Sequence, residues 1–292
     1  MKNYRNYNLV FWGLMSMAIM LLSGCTSLFL QPDSVKYDTP ANYQINFDNL
    51  SIPSDEAYLN AWLLKPDQEK KGHVIFFHGN AQNISSHFRS VIWLVEAGYQ
   101  VLVVDYRGYG QSTGEPKLEN MFDDIHHSIV WYQQNYSDEL PVYLLGQSLG
   151  AATSIYALAS NPQLQDYFTA IILEASFASY RQVARELLAR SWLTWALQYP
   201  LSWTITADYN PEDFIAQLND KPLLLIHSKD DEIIGFHHAA QLIDKSQCDK
   251  VYFLPTHDRH IRSFQHANYR AETLHFLQSG RLESSSLSCK RK

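Results

Sequence analysis

Residues 141–158 read PVYLLGQSLGAATSIYAL, the most informative stretch of this chain. Its apolar start, 141–145, predicts a short buried strand, and 151–158 predicts a helix. Between them lies Gly146-Gln147-Ser148-Leu149-Gly150, a G-x-S-x-G pattern that on a strand-to-helix turn is typical of a nucleophile elbow. The glycines leave room for strand and helix to pass closely, and the helix N-terminus offers N–H groups to a developing oxyanion. We therefore predict Ser148 to be a catalytic nucleophile.

Apolar segments of strand length alternate with segments of helix length along most of the chain. Two antiparallel strands are predicted first, near 43–47 and 57–64. Further strands are predicted at 74–78, 100–105, 141–146, 170–174, 222–227 and 250–254, and helices at 85–97, 120–135, 149–160, 237–245 and 261–277. Short apolar strands, each followed by a helix, imply a parallel sheet covered on both faces. The prediction is an α/β fold with a mostly parallel sheet of about eight strands.

The alternation stops between Ser176 and Lys221, where we predict a small helical cap insertion at about 176–220. Large apolar residues crowd this stretch: Trp192, Leu193, Trp195, Leu197, Tyr199, Leu201, Trp203 and Ile205. Two interpretations are open. The residues pack a lid helix onto the core, or they form an apolar wall over an active site that holds an acyl chain.

The N-terminus has the pattern of a secretory signal. Lys2 and Arg5 precede an apolar run over about 9–22, which is too short for a comfortable membrane span. The following Leu22-Ser23-Gly24-Cys25 resembles the bacterial lipobox, in which the cysteine is acylated, for example with palmitate, and becomes the first mature residue. The resemblance implies a signal peptide over 1–24 and a lipid anchor on Cys25. Thr26, in place of an aspartate, implies the outer membrane of the cell envelope, facing the periplasm. An ordinary signal peptide with an incidental cysteine is the alternative.

The rest of the organisation follows from composition. We predict an extended tether over 25–42, one folded domain over 43–279 and a polar C-terminal tail over 280–292. Cys248 and Cys289 could form a disulfide, or Cys248 could be a free buried thiol. The net charge of −7 argues against nucleic acid as a partner. No spacing of cysteines and histidines suggests a metal or cofactor, and we expect a monomer.

Four segments together resemble the α/β-hydrolase superfamily, and most closely its serine-aminopeptidase-like, lipid serine hydrolase branch. The resemblance covers about 45–277. The segments are the elbow itself, Phe77-His78-Gly79-Asn80-Ala81, Asp105-Tyr106-Arg107-Gly108-Tyr109-Gly110-Gln111-Ser112, and Ile226-His227-Ser228-Lys229-Asp230-Asp231-Glu232-Ile233-Ile234. The resemblance implies an α/β-hydrolase fold and a serine nucleophile that needs no metal or cofactor.

The first two of these segments also carry implied roles. In the superfamily, the N–H after the His-Gly pair and the N–H after the nucleophile hold the oxyanion, which implies Asn80 and Leu149. His78 is expected to organise its loop. Asp105 and Arg107 are expected to form a structural pair at a strand end.

The resemblance implies a catalytic acid after the seventh strand. Matching the superfamily pattern His-Gly-x-x-Asp-x-x-Val/Ile onto His227 implies Asp231, although Ser228 stands where the pattern has glycine. The adjacent Asp230 is an alternative, and Glu174 is a more remote one.

The catalytic histidine should follow the last strand and precede the final helix. His260 is preferred because it adjoins the predicted helix, and His257 is the alternative. The remaining candidates lie on predicted helices and are interpreted as surface residues: His126, His127, His237 and His238.

These residues predict a serine hydrolase that cleaves carboxylic ester or thioester bonds, preferably of acyl or lipid-like molecules, through an acyl-enzyme. A serine peptidase or amidase is one alternative, and a non-catalytic lipoprotein that binds lipid or a partner is another. A serine at the elbow argues against dehalogenase or epoxide-hydrolase chemistry, which needs a carboxylate nucleophile.

Overall fold

The computed structural model describes residues 29–136, 138–218, 221–246 and 250–283. Within them, eight strands form one open sheet in the order β1-β2-β4-β3-β5-β6-β7-β8. Strand β2 pairs antiparallel with both β1 and β4, and the remaining neighbours are parallel, so the predicted mostly parallel sheet is confirmed. The strands are β1 Asn46–Ser54, β2 Ala57–Lys65, β3 Gly72–Phe77, β4 Tyr99–Val104, β5 Val142–Gln147, β6 Ala170–Glu174, β7 Leu223–Ser228 and β8 Val251–Thr256.

Helices cover both faces of this sheet. Alternate residues of the central strands join separate apolar clusters: Ile75 and Phe77 pack with one set of helices, and Val74 and Phe76 pack with the other. Both faces are buried, which is why these strands are apolar throughout. The helices are α1 Ile84–His87, α2 Ile92–Glu96, α3 Leu118–Tyr136, α4 Leu149–Ala159, α5 Pro162–Asp166, α6 Tyr180–Ala189, α7 Gln198–Trp203, α8 Pro211–Phe214, α9 His237–Lys245 and α10 Ala267–Ser279.

Three predicted elements are wrong in extent. The helix expected over 85–97 is interrupted by a 3-10 turn at Phe88–Ser90, after which Val91 leaves the helical region of φ and ψ. The strand expected at 43–47 begins only at Asn46, because Pro40–Tyr43 forms a 3-10 turn. The last helix begins at Ala267 because the chain first turns through Ile261, which has a φ of +50°.

The insertion between β6 and β7 contains α6, a 3-10 turn at Trp195–Leu197, α7 and α8. Of the apolar residues that crowd its sequence, only Ile205 is buried. Core packing is therefore the wrong interpretation for the others, which are exposed: Trp192, Leu193, Trp195, Leu197, Tyr199, Leu201 and Trp203.

The described part of the predicted tether lies against the domain. Leu30 is buried, and Asp33 accepts a hydrogen bond from Asn83 Nδ2 at its carboxylate and one from Gly110 N at its carbonyl, each 2.8 Å long. The signal segment, Cys25, Cys248, Cys289 and most of the C-terminal tail lie outside the described residues. No helix in the described ranges combines the length and apolar character needed to cross a bilayer.

Candidate active site

Ser148 sits in a strained conformation between β5 and α4. Its φ of 52° and ψ of −113° lie outside the regions that L-residues normally occupy. The Ser148 N–H donates to the carbonyl oxygen of Glu174 on β6, and its own carbonyl begins the hydrogen-bond ladder of α4. Such strain costs about 1–3 kcal/mol and persists only where the surrounding structure enforces it.

The two glycines of the pentapeptide are required by close approach of backbones. A Cβ on Gly146 would lie 2.7 Å from Cα of Ala151 in α4. A Cβ on Gly150 would overlap the carbonyl group of Phe77 at the end of β3. The turn therefore depends on glycine at both positions, as the pattern predicts.

Ser148, His260 and Asp231 are joined by two hydrogen bonds. His260 Nε2 lies 2.9 Å from Ser148 Oγ, and His260 Nδ1 lies 2.7 Å from Asp231 Oδ2. The other carboxylate oxygen of Asp231 accepts the N–H groups of Ile233 and Ile234, each at 2.8 Å. A proton on Nδ1 donated to the carboxylate leaves the lone pair of Nε2 facing the serine hydroxyl.

The environment of Asp231 keeps its carboxylate charged. Burial alone would raise its pKa. The hydrogen bond and positive charge of His260, together with the two backbone N–H groups, outweigh that effect and hold the pKa below its ordinary value. A permanent negative charge therefore lies behind the histidine at neutral pH.

The alternative acid and histidine form a separate pair. His257 Nδ1 lies 3.0 Å from Asp230 Oδ2, and the two side chains are 60% and 65% exposed. The structure thus brings Asp231 and His260, rather than Asp230 and His257, to Ser148.

Glu174, the remote alternative, lies beneath the site. It is fully buried and accepts Gln147 Nε2 at 2.6 Å and the Ser263 N–H at 3.1 Å. Burial raises the pKa of its carboxyl group, although these two hydrogen bonds oppose the shift. Glu174 therefore connects the elbow strand to the turn that follows His260.

The predicted oxyanion donors belong to two segments next to Ser148: Leu149 follows it directly, and a Cβ on the glycine before Asn80 would lie 3.3 Å from the Cβ of Ser148. Leu149 is the first residue of α4, and Asn80 lies in the loop after β3. The Asn80 side chain holds that loop, since its Oδ1 accepts the Gln31 N–H and the Tyr109 hydroxyl, both at 2.9 Å. The backbone N–H groups of Asn80 and Leu149 stay predictions as oxyanion donors. The contribution of Gln31 was not foreseen, because it belongs to the predicted tether.

Two stacked histidines, His78 and His87, support the loop after β3. His78 is buried, and its ring stacks on that of His87 with centroids 4.9 Å apart. His87 Nε2 donates to the carbonyl of Ala81, whose φ is +63°. Burial, reinforced by His78, lowers the pKa of His87 to about 3, so this ring is neutral at physiological pH. Sequence patterns carried no signal for His87.

The predicted pairing of Asp105 with Arg107 is wrong. Arg107 Nε donates to Asp124 Oδ1 at 2.6 Å, and its backbone N–H donates to the other oxygen of the same carboxylate. Asp105 instead accepts Asn60 Nδ2 at 2.9 Å and the Ile84 N–H at 2.8 Å. Both oxygens of Asp105 are already occupied by these donors, and the arginine turns toward α3, where Asp124 accepts both its backbone N–H and its Nε–H.

His238, predicted to be a surface residue, is fully buried. Its Nε2 lies 3.2 Å from Glu186 Oε2, and His237 Nε2 lies 2.9 Å from the other oxygen. These three residues have the composition of a metal site. However, the Ala178 N–H donates to His238 Nδ1, so the ring proton must be on Nε2, where a cation would have to bind. The cluster is better suited to a hydrogen-bonded link between α6 and α9.

A cleft of about 1000 Å³ opens beside His260 and Asn80. Apolar side chains, among them Ile92, Trp93 and Phe264, line part of it. Its charged lining residues are Arg89, Arg259, Arg262, Arg270, Glu96 and Glu232. The cleft therefore carries a positive balance in a chain whose net charge is −7.

The sheet order, the elbow after β5 and the later acid and histidine loops are those of an α/β-hydrolase. Known proteins agree. A family model described as "Serine aminopeptidase, S33" matches residues 68–215, half of the chain, and the chain belongs to this family of hydrolases.

Relatives and solved structures support the same class. The chain is 30% identical over 234 residues to the uncharacterized protein YfhR of Escherichia coli K12, covering 77% of this chain and 78% of that protein. It is 29% identical over 198 residues to mouse lysophosphatidylserine lipase ABHD12, covering 63% of this chain and 49% of that longer protein. The Pyrococcus furiosus esterase Pf2001 superimposes with a TM-score of 0.71 over 85% of this chain and 97% of its own, at 20% identity, which supports the fold.

Proposed function

We propose that this chain is a serine esterase that cleaves carboxylic ester or thioester bonds of acyl or lipid-like substrates through an acyl-enzyme. The observation that carries the proposal is the pair of hydrogen bonds, 2.9 and 2.7 Å long, from Ser148 Oγ through His260 to the buried Asp231. A nucleophile, a base in contact with it and a third group that orients the base are the elements of activated-serine chemistry.

In the proposed reaction, Ser148 Oγ bonds to the ester carbonyl carbon while its proton passes to His260 Nε2. Asp231 keeps the Nδ1 proton in place and stabilises the imidazolium. The backbone N–H groups of Asn80 and Leu149 donate to the oxyanion. The imidazolium then protonates the departing alcohol or thiol. Water deprotonated by His260 bonds to the acyl carbon, and Ser148 Oγ leaves with the proton of the imidazolium, which releases the acid and restores the free enzyme. None of these steps requires a metal or cofactor.

The cleft favours a substrate with an apolar chain and an anionic group. Its aromatic and aliphatic lining suits an acyl chain, and its arginines suit a carboxylate or phosphate. The name of the related lysophosphatidylserine lipase describes an anionic lipid ester, which agrees with this chemistry. Arg262→Gln should lower kcat/KM for an anionic lysophospholipid more than for a zwitterionic one. An equal loss on both would contradict a headgroup role.

Labelling by a fluorophosphonate tests the nucleophile directly. The detergent-solubilised full chain should react, and Ser148→Ala should not. Ser90→Ala is the matched control, because Ser90 also lines the cleft but its hydroxyl donates to Gln147. A separate comparison tests the base: His260→Ala should lose at least about a thousandfold more nitrophenyl-ester turnover than His257→Ala. Labelling of Ser148→Ala would overturn the proposal.

Two other functions are separated by the same experiments. The family description names a peptidase, and faster cleavage of a short peptide amide than of a nitrophenyl ester would favour amidase chemistry. A lipoprotein that only binds lipid or a partner would leave the serine unreactive toward the probe.

We further propose that the mature chain is anchored by lipid on Cys25, in the outer membrane facing the periplasm. This rests on the lipobox-like sequence alone. A monomeric state likewise remains a prediction.

A further inference from the structure

The insertion presents an unusually apolar surface, which we call the cap surface. Trp192 is 88% exposed, and Trp195 and Trp203 are 62% and 67% exposed. No charged residue occurs between Arg190 and Asp208. The remaining members of the cap surface are Leu193, Leu197, Tyr199 and Leu201. Soluble monomers rarely leave a contiguous apolar area of this kind in water.

The fold holds these side chains outward. Ser202 and Ile205 are buried, and Arg181 donates to the carbonyl of Ile205 at 2.7 Å, so the end of the segment is attached to α6. At its start, Arg190 donates to the carbonyl groups of Glu232 and Ile233. The cap surface is therefore fixed to the loop that carries Asp231.

The loop to which the cap surface is attached also borders the cleft. Ile233 is itself exposed and lines the cleft together with His260. An amphiphile held at the cap surface would thus lie beside the opening that leads to the catalytic histidine.

The first described residue lies near α6 and the elbow. The described residues begin at Phe29, whose ring packs edge-on against Phe177, just before α6. The Phe29 carbonyl accepts Asn80 Nδ2 at 2.7 Å, next to the elbow. Three residues lie between Cys25 and Phe29, so the two Cα atoms are at most about 14 Å apart. A bilayer that holds the proposed lipid on Cys25 would therefore lie near the start of α6, to which the end of the cap segment is attached.

We propose that the cap surface docks onto a phospholipid bilayer and inserts its tryptophans at the level of the headgroups and upper acyl chains. Tryptophan and tyrosine are the residues that prefer this interface, and the helices here are too short to span it. Docking would place the opening of the cleft at the membrane, where amphiphilic acyl esters are concentrated. This inference concerns binding, and it stands apart from the proposed reaction.

Bromolipid quenching of tryptophan fluorescence tests the docking. The full-length protein is reconstituted into vesicles of phosphatidylethanolamine and phosphatidylglycerol, with ordinary or brominated acyl chains. We expect brominated chains to lower the fluorescence of the wild type, and the combined variant Trp192→Ser, Trp195→Ser and Trp203→Ser to lose most of this difference. Tyr58→Ser is the matched control, because Tyr58 is 59% exposed on β2, and it should keep the wild-type quenching.

The outcomes separate the possible occupants. Trp62 and Trp93 are buried and Trp131 is half-buried, so they contribute a constant background. Trp12 belongs to the predicted signal peptide and is replaced by phenylalanine in every protein compared. The proposal would be overturned if bromolipid quenched the same fraction of fluorescence in the wild type and the triple variant. It would also be overturned if aqueous iodide, but not bromolipid, quenched the tryptophans of the wild type. A dimer in analytical ultracentrifugation that the triple variant converts to a monomer would assign the cap surface to a second copy of the chain instead. Loss of fluorophosphonate labelling with quenching retained would reject the reaction and keep the docking.

Discussion

Replacing Asp231 by asparagine should abolish turnover while leaving the fold intact. Asp231 Oδ1 accepts the N–H groups of Ile233 and Ile234, so the only oxygen of an asparagine amide must occupy that position. Its NH2 group then points at His260 Nδ1, which lies 2.7 Å from the carboxylate in the native protein. The ring must accept there and carry its proton on Nε2, so it can no longer take the proton of Ser148.

In other Ser-His-Asp enzymes, holding the catalytic histidine in this wrong tautomer lowers kcat on the order of 10⁴-fold. This corresponds to a rise of about 5 kcal/mol in the activation free energy. We expect a loss of that size for Asp231→Asn in nitrophenyl-ester hydrolysis. Asp230→Asn is the control, because Asp230 is the adjacent carboxylate but lies exposed and contacts His257 instead of His260. Its turnover should remain within a few-fold of the wild type. Turnover by Asp231→Asn within tenfold of wild type, or an equal loss in Asp230→Asn, would refute the reasoning.

Three further predictions follow from packing, titration and sequence. Gly150→Ala should destabilise the fold by about 3 kcal/mol or more, because its Cβ would overlap the backbone of Phe77; an unchanged melting temperature would contradict this. Burial lowers the pKa of His238 to about 4 in the folded protein. As the pH falls, this histidine is therefore protonated in the unfolded chain before it is protonated in the folded one, and the free energy of unfolding should decrease as the pH drops from about 6.5 toward 4. Between pH 7 and 5 the change at His238 amounts to about 2 kcal/mol, and His87, whose pKa is lowered to about 3, adds a contribution of similar size; urea unfolding at both pH values measures the sum, and no decline would refute it. Cys25→Ser should release the protein from membrane fractions, and unchanged sedimentation with membranes would point to an uncleaved anchor.

Local pattern was sufficient for the class of fold and for the position of the nucleophile. The strand over 170–174 and the helix over 237–245 occur as predicted, and the elbow lies between the strand and the helix that were expected before and after it. These features depend on neighbouring residues: apolar runs bounded by turns, and glycines where two backbones approach. The predicted ends of strands and helices were less accurate where a proline or a positive φ changes the direction of the chain, as at Pro40 and Ile261.

The partners of Ser148 were left as alternatives by the sequence, since Asp230 and Asp231 are adjacent and His257 lies three residues before His260. The histidine that contacts Ser148 is 112 residues away along the chain. Which side chain turns inward depends on the loop backbone and on what packs against it, and neither is encoded by local spacing. The same holds for Arg107, which pairs with Asp124, and for the buried His238.

Local sequence patterns were enough to place a serine at the carboxyl end of a central strand in a mostly parallel sheet, because turn chemistry and hydrophobic period are local properties. The folded structure was needed to show that Asp231 and His260 meet that serine, and that the tryptophans of the cap face outward. Both outcomes are set by contacts between segments that are distant along the chain, and they appear only when those segments pack together.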